Sequence, residues 1–209
     1  MSTSAISVIG INCPQCGKPM DGFGEDVLFT CSVCGHAVDP AQDPPKPMAI
    51  AYVAPDKSMS DTVNLYLPFW LIPIQPHAAD ADGNQIHLDG WLEHIWVTAF
   101  ATQVTVRYGE PAVSLTIAKA KPEAKGEKGR MAGIVRTVEQ AKTIARYFQL
   151  AQLDSRQDLK DHIVEPQFGK TYLCAAPFHF DKNRYEMKDL LIGKTYSAKI
   201  LRNAHGLLP

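Results

Sequence analysis

Beyond residue 48, the apolar and polar positions follow mainly the two-residue alternation and short apolar runs that are typical of β-strands. Pro68, Pro73 and Pro76 interrupt the most apolar of these runs, which favours an edge or bulged position for that strand. The predicted strands cover residues 63–75, 85–88, 95–106, 112–118, 171–180 and 194–201.

A helical period replaces the strand pattern after Thr137. Thr137 is suited to cap the N-terminus of this helix, with the side chain of Gln140 reaching back to the cap. A second, shorter helix is predicted after Ser155. The apolar face of the first helix comprises Val138, Ala141, Ile144, Ala145 and Phe148.

Four cysteines near the N-terminus form two Cys-x2-Cys pairs, and 14 residues separate the pairs. Each pair is predicted to lie on one tight turn. Gly17 and Gly35 directly follow the pairs, at positions whose backbone conformation disfavours a side chain. Four thiolates in a tetrahedron select zinc, with iron as the main rival, and leave no position for water. The sequence therefore predicts a structural Zn²⁺ ion held by Cys13, Cys16, Cys31 and Cys34.

Other interpretations of the cysteines fit the sequence less well. Two disulfides need an oxidising compartment, but residues 1–30 contain no signal peptide. A thioredoxin-type motif needs a single Cys-x-x-Cys, and the iron knuckles of rubredoxins are separated by a longer insertion. His36 follows the second pair and is interpreted as a surface residue near the thiolates, because the site is already full. Cys174 lies in an apolar run and is interpreted as a small buried hydrophobe.

Charge and proline content divide the chain into parts. Residues 1–45 contain one basic and five acidic side chains, a net charge of −4, whereas residues 46–209 carry +3. Residues 39–47 contain four prolines, which favour an extended spacer. The predicted domains are a zinc ribbon at 1–38, a proline-rich linker at 39–47 and an α+β domain at 48–209. The expected fold class is α+β, with the small ribbon followed by a mainly antiparallel β domain that has one or two helices.

Polar clusters outside the cysteines lack the context of a catalytic motif. Residues 119–130 carry five basic and two acidic side chains without interleaved aromatic residues, so a solvated hairpin tip or mobile loop is favoured over a nucleic-acid contact. Glu93 with His94, and His179 with Asp181, are interpreted as polar positions of strands. Residues 66–69 also resemble parts of 172–178, which leaves a duplicated β unit open.

The two Cys-x-x-Cys-Gly knuckles resemble zinc ribbons over residues 12–38. Together with Leu-Pro-Phe-Trp at 67–70 and Ile-Trp-Val-Thr-Ala-Phe at 95–100, they make the chain similar to bacterial proteins that join an N-terminal zinc ribbon to an uncharacterised β-rich domain. In that group the fourth residue of the second motif is usually proline, whereas this chain has Thr98. The resemblance implies the architecture and carries no assigned activity.

The expected function is that of a non-enzymatic adaptor or accessory subunit that mediates protein–protein interactions in a cytoplasmic assembly. The saturated metal site, the proline spacer and the lack of a catalytic motif favour it, and no apolar stretch reaches the length of a transmembrane helix. Nucleic-acid binding is an alternative that the acidic ribbon disfavours, because phosphate contacts depend on Lys and Arg. A rubredoxin-like iron protein that transfers electrons is the second alternative.

Overall fold

The computed structural model describes residues 10–22, 24–79, 82, 84, 86, 92–102, 110–122, 124–154 and 163–201 of the chain. Nine strands, two α-helices and a 3-10 helix lie in these ranges. The strands are β1 (Phe29–Thr30), β2 (His36–Val38), β3 (Pro47–Tyr52), β4 (Leu65–Ala79), β5 (His94–Thr98), β6 (Ile163–Phe168), β7 (Tyr172–Asp181), β8 (Glu186–Asp189) and β9 (Thr195–Ser197). The helices are α1 (Glu110–Ile117), α2 (Val138–Asp154) and the 3-10 helix Ala198–Ile200.

These nine strands form one sheet, whose main path runs β1-β2-β3-β7-β4-β5. β6 pairs with the second half of β4, and β8 pairs with both β7 and β9. The pairs are antiparallel, except that β3 and β7 are parallel. The predicted α+β class is confirmed. The similar sequences of β4 and β7 lie on neighbouring strands, and a duplicated origin for them stays a prediction.

β4 lies at the centre of the molecule because both of its faces are buried. Phe69 belongs to a first core shared with Leu115 of α1, whereas its neighbour Trp70 belongs to a second core shared with Ala141 of α2. Successive side chains of a strand point to opposite faces, so one helix covers each face of the sheet.

The prediction of an edge position for the proline-containing strand is wrong, because β4 lies between β7 and β5. Pro68 and Pro73 are tolerated because each lies where a ladder of β4 starts or stops. The carbonyl of Pro68 accepts the N–H of Ala99 at 3.0 Å, just beyond the end of β5. Pro73 lies where β4 changes its partner from β7 to β6, and its carbonyl accepts the N–H of Gly169 at 2.9 Å.

Helix α1 occupies most of the region in which a strand is predicted over residues 112–118, so that prediction is wrong. The hydrophobic period of a short apolar run does not distinguish a helix from a strand, and Pro111 is compatible with the first turn of a helix. Tertiary contacts decide the outcome. Leu115 is buried in the first core, and Thr116 Oγ1 accepts the N–H of Trp96 at 2.9 Å. The helix thereby covers the outer edge of β5.

Helix α2 and its cap confirm the sequence prediction. The N–H of Thr137 donates to Gln140 Oε1 at 2.9 Å, and the N–H of Gln140 donates to Thr137 Oγ1 at 3.3 Å. The helix begins at Val138 and buries Ala141 and Ala145 in the second core.

The remaining strand predictions are confirmed only in part. β7 matches the prediction over 171–180, but the segment 194–201 forms the short β9 and then the 3-10 helix. β5 ends at Thr98, whereas the prediction extends to residue 106. Residues 85, 87 and 88 of another predicted strand, and residues 155–162 of the second predicted helix, lie outside the described residues.

The cysteine-bearing segment joins the sheet through β2. β2 pairs with β3 so that His36 lies opposite Ala49. Residues 39–46 connect the two strands, so most of the proline-rich segment is the loop of a hairpin, and Pro47 already belongs to β3. Leu28 is also buried in the second core. The division into a ribbon, a linker and an α+β domain stays a prediction.

Candidate metal centre

The two cysteine knuckles have the same backbone geometry. The N–H of Gly17 donates to the carbonyl of Cys13 at 2.8 Å, and the N–H of Gly35 donates to the carbonyl of Cys31 at the same distance. The φ angles of the two glycines are +71° and +70°, in the region that favours glycine. The knuckles are therefore a structural repeat, built by two Cys-x2-Cys-Gly sequences.

These turns bring four sulfur atoms together. The Sγ atoms of Cys13, Cys16, Cys31 and Cys34 all lie within 4.8 Å of one another. The Sγ–Sγ distance is 3.4 Å between Cys13 and Cys34 and 3.5 Å between Cys16 and Cys31. A disulfide bond is about 2.0 Å long, whereas Zn–S bonds of about 2.3 Å place tetrahedral sulfurs about 3.8 Å apart. The arrangement is compatible with a structural metal ion held by the four predicted ligands.

The thiols of this centre hold their protons unevenly. Burial raises the pKa of Cys34 to about 12, and contacts with the thiols of Cys13 and Cys31 add to the rise. Burial also acts to raise the pKa of Cys31, but the backbone N–H of Cys34 and the thiol of Cys16 outweigh it and lower the pKa to about 7. Metal ligands must be thiolates, so an ion bound among these sulfurs takes the place of their protons.

The centre has an inner and an outer side. Cys13 and Cys31 are each 1% exposed, whereas Cys34 is half-buried and Cys16 is exposed. Val33, between the two cysteines of the second knuckle, is 58% exposed. The thiols of Cys13 and Cys31 are covered by the rest of the protein, whereas the tip of the second knuckle faces solvent.

Cys174 and His36 do not belong to this group of ligands. Cys174 is buried in the first core and burial raises its pKa to about 12, which confirms the interpretation as a small buried hydrophobe. His36 is half-buried rather than a surface residue, and its Nδ1 atom has no hydrogen-bond partner in the described part of the chain. Within the described ranges, no second group of His, Cys, Asp or Glu side chains is close enough to hold a metal ion.

Residues 119–122 and 124–133, which we name the basic strap, are tied to the sheet, so the prediction of a solvated hairpin tip or mobile loop is wrong. The N–H of Gly126 donates to the carbonyl of Tyr52 at 2.8 Å, and two more backbone hydrogen bonds join the strap to Tyr66 of β4. A Cβ atom on Gly126 would lie 2.5 Å from the carbonyl oxygen of Val53. This glycine therefore permits a close backbone approach, where its sequence context had indicated flexibility.

The basic strap also contacts the second knuckle. Lys128 Nζ donates to the carbonyl of Val33 at 3.2 Å. The side chain of Lys128 lies over Gly35, where a Cβ atom would be 3.0 Å from Lys128 Cε. A cleft of about 480 Å³ lies between the knuckle, β3 and the strap.

Arg136 links β4 and β5 to the start of α2, and no sequence prediction named it. Its guanidinium group donates to both the carbonyl and the hydroxyl oxygen of Thr98, the latter at 2.7 Å. The carbonyl of Arg136 accepts the indole N–H of Trp70 at 2.8 Å, and burial lowers the pKa of the guanidinium. The side-chain hydroxyl of Thr98 supplies the second acceptor for this guanidinium group.

His179 and Asp181 each contact a different group in this fold. His179 Nδ1 lies 2.9 Å from the carbonyl oxygen of Thr62, and Asp181 forms an ion pair within its own turn. Likewise, His94 Nε2 lies 2.9 Å from the carbonyl oxygen of Ala120. These side chains anchor neighbouring segments, in line with their interpretation as polar positions of strands.

A buried carboxyl group at Asp189, the last residue of β8, carried no sequence signal, because aspartate is mostly exposed in proteins. Asp189 is 0% exposed, and its Oδ1 accepts the N–H of Leu191 at 2.7 Å. Its Oδ2 has no hydrogen-bond partner among the residues that the structure describes. Burial raises the pKa of Asp189 to about 6, although backbone N–H groups of the turn act in the opposite direction.

We expect the protein to lose stability relative to an Asp189→Asn variant as the pH rises from about 4 to about 7. The folded-state pKa of about 6 exceeds the ordinary value of 3.8. The protonated carboxyl therefore stabilises the fold fully below the ordinary value, and this contribution, about 3 kcal/mol, is lost as the pH rises through 6. Asparagine keeps the acceptor for Leu191 and does not titrate. Urea unfolding of both proteins across this range measures the difference, and parallel stability curves would contradict the expectation.

No helix in the described part of the chain is long and apolar enough to cross a membrane. The resemblance to bacterial zinc-ribbon proteins stays a prediction. Comparison with protein-family models, curated proteins and solved structures finds no match to this chain, so its function must be inferred from the cysteine centre and the surfaces beside it.

Proposed function

We propose that the protein is a non-enzymatic adaptor or accessory subunit that binds a protein partner in a cytoplasmic assembly. The four-thiol cluster carries this proposal, because its sulfurs lie within 4.8 Å of one another and supply every position of a tetrahedral ion. No position is left for water or a substrate. The ion therefore has a structural role, and the ribbon that it holds together is the docking element.

Zn²⁺ is the proposed ion, because four soft thiolates in a tetrahedron favour it. Thiols that serve as metal ligands persist in a reducing compartment, which supports a cytoplasmic location. We expect element analysis of the purified protein to find one zinc per chain in a colourless sample. One iron per chain with visible absorption would replace this proposal with a rubredoxin-like electron carrier.

The outer side of the ribbon offers a surface for the partner. Val33 is 58% exposed at the tip of the second knuckle, while Cys31 beside it is 1% exposed. β2, which follows this knuckle, continues into the sheet through β3. An apolar side chain held in a fixed place by a metal-bound turn loses little conformational freedom on binding, which favours its use as a contact.

The proposal is tested by purifying the tagged full chain from its native host, with and without nuclease. We expect a stoichiometric protein partner that survives nuclease treatment and is reduced at least fivefold by Val33→Asp, with the metal content unchanged. Leu150→Asp is the matched control, because Leu150 is 57% exposed on α2. A preparation without a protein partner would contradict the adaptor function, and equal loss with both variants would contradict the assignment to the knuckle.

Nucleic-acid binding is the second candidate, and one structural observation favours it. The basic strap holds the exposed residues Lys125, Lys128 and Arg130 on a backbone that is tied to the sheet. Phosphate contacts through such side chains weaken steeply as salt is added. Nucleic acid in the purified sample, with all partners lost on digestion, would favour this candidate over the adaptor.

A further inference from the structure

Lys128 of the basic strap contacts the second cysteine knuckle, although it lies 95 positions from Val33 in the chain. Its Nζ atom donates to the carbonyl of Val33 at 3.2 Å. Val33 lies between Cys31 and Cys34, so this hydrogen bond is made to the turn that carries two of the four sulfurs. The methylene groups of Lys128 lie over Gly35, where a Cβ atom would be 3.0 Å from Cε and 3.2 Å from Cδ. One side chain therefore contacts both the middle and the end of the knuckle.

The backbone of the strap is fixed on both sides of Lys128. Before it, the N–H of Gly126 donates to the carbonyl of Tyr52 at 2.8 Å, and after it, the carbonyl of Arg130 accepts the N–H of Tyr66 at 2.8 Å. Tyr52 and Tyr66 belong to β3 and β4, and their rings meet edge to face with centroids 5.1 Å apart. The side chain of Lys128 therefore starts from an ordered backbone, which lowers the entropy lost when its contact with the knuckle forms.

The charge of Lys128 matters most when the centre holds its ion. Four thiolates around a divalent cation carry a net negative charge, whereas four protonated thiols carry none. Residues 1–45 contain one basic and five acidic side chains, so the segment that bears the cysteines supplies little positive charge. The Lys128 ammonium group lies at the knuckle and is exposed, so solvent screens its attraction to the loaded centre without removing it. This attraction favours the loaded centre over the empty one.

We propose that Lys128 is a positioning residue of the metal centre and couples metal binding to the order of the basic strap. Its hydrogen bond holds the turn of the second knuckle in the form that presents Cys31 and Cys34, and its charge stabilises the loaded centre. Because coupling between two sites is reciprocal, a bound ion also stabilises the strap in its place on the sheet. The inference goes beyond the adaptor function, since it holds whether or not a partner binds.

The test measures the Zn²⁺ affinity of the reduced full chain by competition with a chromophoric chelator. Lys128→Met removes the ammonium group, keeps a long apolar side chain and is expected to weaken Zn²⁺ binding about three- to tenfold. Outer partners of metal ligands commonly contribute about 10–100-fold, and the smaller effect follows because Lys128 is exposed. Lys128→Arg keeps the charge and a donor, and should stay within about twofold of the wild type. Added salt should reduce the effect of Lys128→Met.

Lys125→Met is the matched control, because it removes another exposed lysine of the same strap. It is expected to change the Zn²⁺ affinity by less than about twofold. The midpoint of urea unfolding of the metal-free chain should be the same in Lys128→Met and Lys125→Met. A purely structural role of Lys128 would instead lower this midpoint in Lys128→Met.

The reciprocal effect is measured by amide hydrogen exchange. Removing the metal ion with a chelator is expected to raise the exchange rate of the Gly126 amide, and to raise it less in Lys128→Met than in the wild type. Equal Zn²⁺ affinities of Lys128→Met and Lys125→Met would overturn the inference. A wild-type chain that binds no Zn²⁺ would overturn it together with the metal centre, whereas purification without a protein partner contradicts the adaptor function alone.

Discussion

Replacing Cys31 with serine is expected to remove the metal and unfold residues 12–38. Cys31 is 1% exposed, and its Sγ atom is 3.5 Å from that of Cys16, so the hydroxyl of serine leaves a weak ligand at the inner side of the centre. Structural zinc contributes about 10–16 kcal/mol to the folding of isolated zinc fingers. Element analysis should show metal content well below one ion per chain, and amide hydrogen exchange should show lost protection over 12–38.

The rest of the chain is expected to stay folded with reduced stability after this substitution. Leu28 and Ala37 contribute to the second core, and β2 supplies the hydrogen-bonding partner of β3. Loss of these contacts resembles a large-to-small substitution in a core, which lowers the free energy of unfolding by about 2–5 kcal/mol. Exchange protection should therefore persist in β4 and β7, while the midpoint of urea unfolding falls.

Cys174→Ala is the matched control for the cysteine substitution. Cys174 is equally buried, but it lies in the first core away from the four-thiol group, so one ion per chain should remain. Native protection over 12–38 in Cys31→Ser would contradict the structural role of the ion. Complete unfolding of β4 and β7 would contradict the division into a ribbon and a separately stable α+β domain.

Phe69→Ala is expected to lower the free energy of unfolding by about 3–5 kcal/mol, the usual cost of removing a buried aromatic ring. Phe69 is 0% exposed at the middle of β4. Its ring meets the rings of Trp96 and Phe100 edge to face, with centroid distances of 5.8 and 5.4 Å, and stacks at 6.5 Å on Phe178. Alanine leaves a cavity that these neighbours close only in part. Urea unfolding, followed by tryptophan fluorescence, measures the change.

Two comparisons make this expectation specific. Phe69→Leu keeps most of the buried volume and should cost less than half as much as the alanine variant. Tyr147→Ala removes an aromatic ring that is 67% exposed on α2, and should change stability by less than about 0.5 kcal/mol. Similar losses of unfolding free energy in Phe69→Ala and Tyr147→Ala would contradict the placement of Phe69 at the centre of the first core.

The elements that sequence patterns predicted well are those specified by local chemistry. The capping pair Thr137 and Gln140 marks the start of α2 because its hydrogen bonds join residues three apart. The four cysteines predict one cluster because each Cys-x2-Cys turn closes locally. Helix α1 was predicted as a strand because its eight residues are too few for the hydrophobic period to distinguish a helix from a strand.

Features made by contacts between distant segments had no local signal. Gly126 lies against Val53, and this approach makes an ordered strap of a segment whose composition suggests a flexible loop. Nothing in the sequence around Asp189 marks its carboxyl group as buried, and its burial in the folded protein raises its pKa to about 6.

By itself, the amino-acid sequence determined the four candidate metal ligands, the α+β class and the capped helix α2. These follow from spacing, composition and period, which act over a few residues. Only the tertiary structure decided that the ribbon continues the sheet through β3, that α1 is a helix and that the basic strap encloses a cleft beside the second knuckle. The physical reason is that burial and backbone pairing between segments far apart in the chain outweigh the weak preferences of short runs.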